Sequence, residues 1–147
     1  MPYRIARTLS APDAAYLAGL IDGEGTIALT RRHAYEHRHV VVSISSTELE
    51  LLAWTKETTG VGKITRKRTV SDRHAPGLTY SVSNRQALDV LGAVAPYLRS
   101  YKRFRANLVL QHYLALTPRN GKYNVKLADA RRRFEETFAA IKVGYQQ

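Results

Sequence analysis

Tyr16-Leu17-Ala18-Gly19-Leu20-Ile21-Asp22-Gly23-Glu24-Gly25-Thr26 runs an apolar helix straight into two carboxylates separated by a glycine. A helix C-terminus carries partial negative charge and unpaired carbonyls, so Asp22 and Glu24 are unfavourable there unless a cation compensates. A hard divalent ion, which takes carboxylate and carbonyl oxygens as ligands, suits that position. Gly23 and Gly25 let the chain turn sharply and approach another backbone closely around Glu24.

Upstream, Ser10 followed by Ala11-Pro12-Asp13 predicts a helix start, with Ser10 as N-cap, proline in the first turn and an acid near the positive end. The helix is expected to run to about Asp22. Leu17, Leu20 and Ile21 supply apolar packing, whereas Ala15, Ala18 and Gly19 are small enough to admit a second helix.

Downstream, TIALTRRH and RHVVVSISS read as two strands joined by a polar turn around Ala34, Tyr35 and Glu36. Alternation puts Ile27 and Leu29 on one face with Val40, Val42 and Ile44. Thr26, Ala28, Thr30 and Arg32 share the other with His37, His39, Val41 and Ser43. A helix capped by Thr47 follows to about Thr59 and stops at Gly60. KITRKRTV and LTYSVSN give a second strand pair whose polar face carries Lys63, Thr65, Lys67, Thr69, Thr79, Ser81 and Ser83; Ile64, Tyr80 and Val82 face the core. Further helices are expected over about 85–95, 99–116 and 124–142, with Pro96 ending the first of them. The order is α-β-β-α-β-β-α with C-terminal helices, an α+β layer in which helices cover one face of a sheet.

The 147 residues suit one domain over 1–147, and no Pro/Gly/Ser-rich linker divides them. Lys and Arg number 23 against 12 Asp and Glu, a formal net charge of +11 that favours nucleic acid or an anionic membrane. No apolar run approaches the roughly 20 residues of a membrane span, and MPYRIARTLS lacks the apolar stretch of a secretory leader. The expectation is an intracellular protein whose partner is nucleic acid. With no cysteine, thiol catalysis, disulfides and Cys-based zinc sites are excluded.

Leu17 to Gly25 also resembles the nine-residue motif of the LAGLIDADG homing endonucleases, with seven identical letters; Gly23 replaces Ala and Glu24 replaces Asp. The resemblance implies a saddle-shaped four-stranded antiparallel sheet and a metal-dependent double-strand DNA endonuclease encoded by a mobile element such as an intron. It gives Glu24 the role of metal-binding acid, Mg²⁺ the role of cofactor with Mn²⁺ or Ca²⁺ substituting for binding, and the Gly23 carbonyl that of a further ligand. Because the motif occurs once, the resemblance also implies a homodimer, with Ala15, Ala18, Gly19 and Asp22 at the interface. The target of such a dimer is long and pseudo-palindromic.

Pro96 to Leu110 resembles the segment of single-motif members in which a lysine four residues before Ala-Asn-Leu approaches the active site; the matching residue is Lys102. An ammonium there can stabilise charge developing on a phosphate. Arg99 and Arg105 read as members of a solvated basic face. The chain departs from relatives that carry a glutamine and an arginine near the end of the second strand, since Ser45-Ser46-Thr47-Glu48-Leu49-Glu50 contains neither. That departure keeps open a catalytically inactive DNA-binding regulator of the same fold, and the basic composition equally suits a maturase-like protein binding intron RNA.

Base reading falls to the polar strand faces, because a twisted ribbon fits the major groove. The candidates are Thr30, Arg32, His37, His39, Ser43, Lys63, Thr65, Lys67, Thr79 and Ser81. His37 and His39 have no evident third ligand for a metal, and the sequence around Gly60-Val61-Gly62-Lys63 fails the phosphate-loop pattern.

Overall fold

The computed structural model describes residues 4–66 and 77–146. Ser10 caps the first helix, α1 (Ala11–Glu24), its hydroxyl accepting from the Asp13 amide with proline in the first turn. The helix continues two residues past the expected end and passes directly into β1 (Gly25–Thr30). There follow β2 (His39–Ser46), α2 (Leu49–Thr59), β3 (Lys63–Arg66), β4 (Leu78–Ser83), α3 (Asn84–Val94), a 3-10 turn over Ala95–Tyr97, α4 (Lys102–His112) and α5 (Val125–Ala140).

All four strands pair antiparallel in the order β1-β2-β4-β3, so the two hairpins meet through β2 and β4. Their register aligns Ile27 with Val42, Ile44 with Tyr80 and Tyr80 with Ile64. These residues face the helical layer, where α1 and α3 pack on β2 and α2 packs on β4. The core gathers Leu17, Ile21, Val40, Leu52, Val90 and Leu91 with the inward strand residues. The α+β architecture and the expected alternation are both present.

Tyr80 anchors the α2–β3 turn. Its hydroxyl donates to the Val61 carbonyl at 2.9 Å and lies 3.1 Å from the Thr59 hydroxyl. Gly62, at φ +94°, runs under the ring, and a Cβ there would fall 2.5 Å from a ring carbon. Both the positive φ and the close approach require glycine. Burial raises the Tyr80 pKa, and the Thr59 hydrogen bond partly opposes the shift.

Two helix starts differ from expectation. Thr47 does not cap α2: the Ser46 hydroxyl accepts from the Glu48 amide, and the helix begins at Leu49. Residues 99–101 lie outside α4, because the Arg99 and Ser100 amides are drawn to a carboxylate of α1.

Candidate active site and nucleic-acid interface

At the end of α1 the Gly25 amide donates to the Ile21 carbonyl. A Cβ on Gly25 would sit 2.8 Å from the Ile21 Cα, so only glycine permits this junction. The Lys102 ammonium donates to the Ile21 and Asp22 carbonyls, both at 2.9 Å, and the side chain is 8% exposed. The cation that compensates the helix end therefore comes from α4 of the same chain. Burial lowers the Lys102 pKa; Asp22 opposes that shift, Arg105 adds to it and Glu24 opposes it.

Asp22 is committed within the chain. Its carboxylate accepts from the Arg99 amide at 2.8 Å, the Ser100 amide at 3.2 Å and the Ser100 hydroxyl, which in turn accepts from the Lys102 amide at 3.2 Å. Asp22, expected at a dimer interface, docks α4 within the chain so that Lys102 reaches the helix end. The expected interface role of Ala18 is corrected, since it is fully buried in the chain's own core.

Glu24 and Gly23 remain exposed at this corner. Ala15, Gly19 and Gly23, spaced by four, are exposed on the same helix, and a Cβ on either glycine would meet nothing within 4 Å. Among the described residues no three His, Asp or Glu side chains gather to hold an ion. One chain offers a carboxylate and an adjacent carbonyl oxygen, a donor set that fits a hard divalent cation but fills only part of its shell.

The polar face of the sheet begins beside Glu24. The register aligns Thr26 with Ser43, Thr30 with His39, Ser43 with Ser81, Ser45 with Thr79, Lys63 with Ser81 and Thr65 with Thr79. Thr30, His39, Ser43, Lys63, Thr65, Thr79 and Ser81 therefore share one face, none of them buried. Arg32 is exposed but lies in the β1–β2 connection rather than on a strand. His37 departs from the face altogether, its ring 4.0 Å from that of Tyr123 and its Nδ1 3.6 Å from Glu135. The loop turns His37 back toward α5, which breaks the alternation on which its assignment rested. Lys67 and Thr69 lie outside the described residues.

Arg105 belongs to the fold, not to a solvated face. It donates to the carbonyls of Ile27 and Ile141, and its guanidinium lies 4.6 Å from the centre of the Phe138 ring. Burial lowers its pKa. Arg131, 1% exposed, is a second buried cation that the sequence reading did not single out. Glu135 four residues later was its visible signal, and the two approach to 3.5 Å.

No family model and no curated protein matches the chain. A helix-backed four-stranded antiparallel sheet with an acid at the end of its first helix defines an α+β layer architecture, and solved structures make it specific. The fold is that of the LAGLIDADG homing endonucleases. The homing endonuclease I-CvuI, in complex with its target in the presence of 2 mM Ca, matches with a TM-score of 0.71 at 20% identity, over 93% of this chain and 86% of its own. The archaeal intron-encoded homing endonuclease I-Vdi141I, complexed with DNA, matches at 0.59 and 16% identity over 91% and 86%. I-LtrWI, a LAGLIDADG homing endonuclease bound to target DNA, matches at 0.64 and 20% identity; there this chain covers 46% of the larger one.

Proposed function

We propose that the chain is a single-motif homing endonuclease that makes a site-specific double-strand cut in DNA as a homodimer. The observation that carries this reading is the exposed Glu24–Gly23 corner, which joins a small-residue helix face to the polar face of the sheet. Pairing two copies through Ala15, Gly19 and Gly23 would bring two Glu24 carboxylates together at the axis and supply the donors one chain lacks. The DNA complexes of I-CvuI in the presence of Ca, and of Mg with the DNA not cleaved, support the substrate class and are consistent with a divalent ion. When bound, Mg²⁺ would lower the pKa of a water and offset charge on the attacking and leaving oxygens.

The chain's own residues have separate tasks in this reading. Glu24 and the Gly23 carbonyl hold the ion, and Lys102 holds the helix end that presents them. Hydroxyls of Thr30, Ser43, Thr65, Thr79 and Ser81, with Lys63 and His39, face the major groove and read base edges. The net charge of +11 supplies salt-dependent attraction to phosphates. Two-fold symmetry predicts a pseudo-palindromic target.

The test is cleavage of a partly randomised duplex library in Mg²⁺ by the native chain and by Glu24→Gln, with the cut ends sequenced. Discrete cuts at one pseudo-palindromic sequence, made by the native chain only, are expected. Selective binding with no cuts would overturn the enzyme in favour of a regulator. Cuts that persist in Glu24→Gln would remove Glu24 from the chemistry.

A further inference from the structure

The connection between β1 and β2, residues 31–38, holds five basic or imidazole side chains and one tyrosine. Its tip has internal order: the Arg31 guanidinium donates to the Ala34 carbonyl at 3.1 Å, and the Glu36 amide donates to the His33 carbonyl at 3.0 Å. The His33 and Tyr35 rings stack, with centroids 5.2 Å apart and planes within 3°. Tyr35 is 84% exposed.

The returning leg of the loop is fastened to α5. Glu135 lies 3.6 Å from His37, 3.7 Å from Arg38 and 3.5 Å from Arg131, so one carboxylate gathers three basic groups. Arg131 donates to the Arg38 carbonyl, to the Leu116 carbonyl at 3.2 Å and to the Thr117 hydroxyl at 2.6 Å. Tyr123 packs on His37 and donates to the same Leu116 carbonyl. Burying an arginine is costly unless its hydrogen bonds and counter-charge are supplied. Here three acceptors take the terminal N–H groups, Glu135 supplies the counter-charge 3.5 Å from Nε, which itself makes no hydrogen bond among the described residues, and the bond to Arg38 fixes the point where the loop re-enters the sheet.

The position of the loop along the ribbon decides what this fastening governs. β1 leaves the Glu24 corner and reaches the loop after six residues. At about 3.4 Å per residue the base of the loop lies roughly 20 Å from that corner, with the tip following it. At about 3.4 Å per base step this is on the order of six base pairs along a duplex laid on the sheet.

We propose that α5, through Glu135 and Arg131, sets sequence specificity at the outer end of the half-site by fixing the pose of the Arg31–Tyr35 tip. Glu135 and Arg131 are positioning residues in this scheme; the tip makes the contacts. The inference rests on the endonuclease reading above.

The experiment is a position-resolved specificity profile, each base pair of the preferred target substituted in turn, for the native chain, Glu135→Gln and His37→Ala. The first variant removes the shared counter-charge while keeping shape, and the second cuts one attachment on a half-exposed loop residue without touching the core. A mismatch ordinarily costs about 5- to 150-fold in affinity. Both variants should bring that penalty toward about twofold at positions about six or more base pairs from the cut, raising tolerance through KM rather than kcat, with central discrimination kept. Equal loss at every position would show a generally loosened fold and overturn the proposal, as would unchanged profiles in both variants. A native chain that shows no sequence preference would overturn the endonuclease reading and this proposal together. A selective native chain with unaltered variants overturns this proposal alone.

Discussion

Asp22 and Ser100, 78 residues apart, form a closed contact in which the serine donates from both its amide and its hydroxyl to one carboxylate oxygen. The hydroxyl then accepts from the Lys102 amide, so the start of α4 is built on the end of α1. Ser100→Ala keeps the amide bond and loses the hydroxyl. The expected cost is about 1.5 kcal/mol, the low end for a hydrogen bond to a charged group because Asp22 is half-buried. Urea unfolding should show this loss, and Ser100→Thr should recover most of it. Equal stability of the alanine and threonine variants would remove the hydroxyl from the docking.

Ala18 and Gly19 are neighbours with opposite surroundings. Ala18 is fully buried, while a Cβ on Gly19 meets nothing within 4 Å. Ala18→Leu should destabilise the chain by about 1–3 kcal/mol through overpacking. Gly19→Leu should leave the monomer as stable or raise it by up to about 1 kcal/mol through helix propensity. In the proposed homodimer the same change blocks close helix approach, so sedimentation should show monomers. A Gly19→Leu protein that sediments as a normal dimer would displace the interface from this face.

The Tyr80 phenol has a folded-state pKa above its ordinary value of 10.0, chiefly because of burial. A raised folded pKa means that the native state holds the proton more tightly than the unfolded chain. The contribution is full below pH 10 and is lost as pH rises from there toward the folded value. Tyr80→Phe removes this dependence. Its own cost should be about 1 kcal/mol, since the Thr59 hydroxyl still reaches the Val61 carbonyl at 3.1 Å. Unfolding midpoints at pH 9 and pH 11 should therefore fall further for the native chain than for the variant; parallel declines would contradict the buried phenol.

Elements governed by local pattern were legible in the sequence. Ser10-Ala-Pro-Asp announced α1, and period-two alternation sorted Ile27, Leu29, Val40, Val42 and Ile44 from the polar face before any pairing was known. What escaped were groups whose partners lie far along the chain. Nothing local to Asp22 tells that it will accept from residues 99 and 100, and nothing in RSYKRFR separates exposed Arg99 from Arg105, which reaches Ile27 and Ile141. His37 misled because alternation was extended past the last strand residue into a loop that turns toward α5. Glu24 and Lys102 were placed at one corner by resemblance; the particular acceptors of the ammonium, two backbone carbonyls, required the tertiary structure.

Those acceptors recast what Lys102 does. With two of its three N–H groups committed to Ile21 and Asp22, the ammonium acts first on the helix end, and on Glu24 through that end and through its charge. Lys102→Met keeps the length of the side chain and removes the charge, leaving the Ile21 carbonyl with the Gly25 amide alone and the Asp22 carbonyl without its ammonium beside a carboxylate. The end of α1 should then shift, and Glu24 should present its oxygens less well to a metal. Loss of a partner that orients a metal ligand typically costs about 10- to 100-fold in activity. The expected result is a fall of that size in the single-turnover cleavage rate, with DNA affinity measured in Ca²⁺ changed by less than about threefold. Lys102→Arg should not rescue, because a planar guanidinium does not fit a pocket shaped for a compact ammonium 8% exposed. A parallel loss of rate and affinity would instead make Lys102 a direct phosphate contact, since a group that serves the helix end and Glu24 has no reason to change how tightly the proposed base-reading face binds DNA.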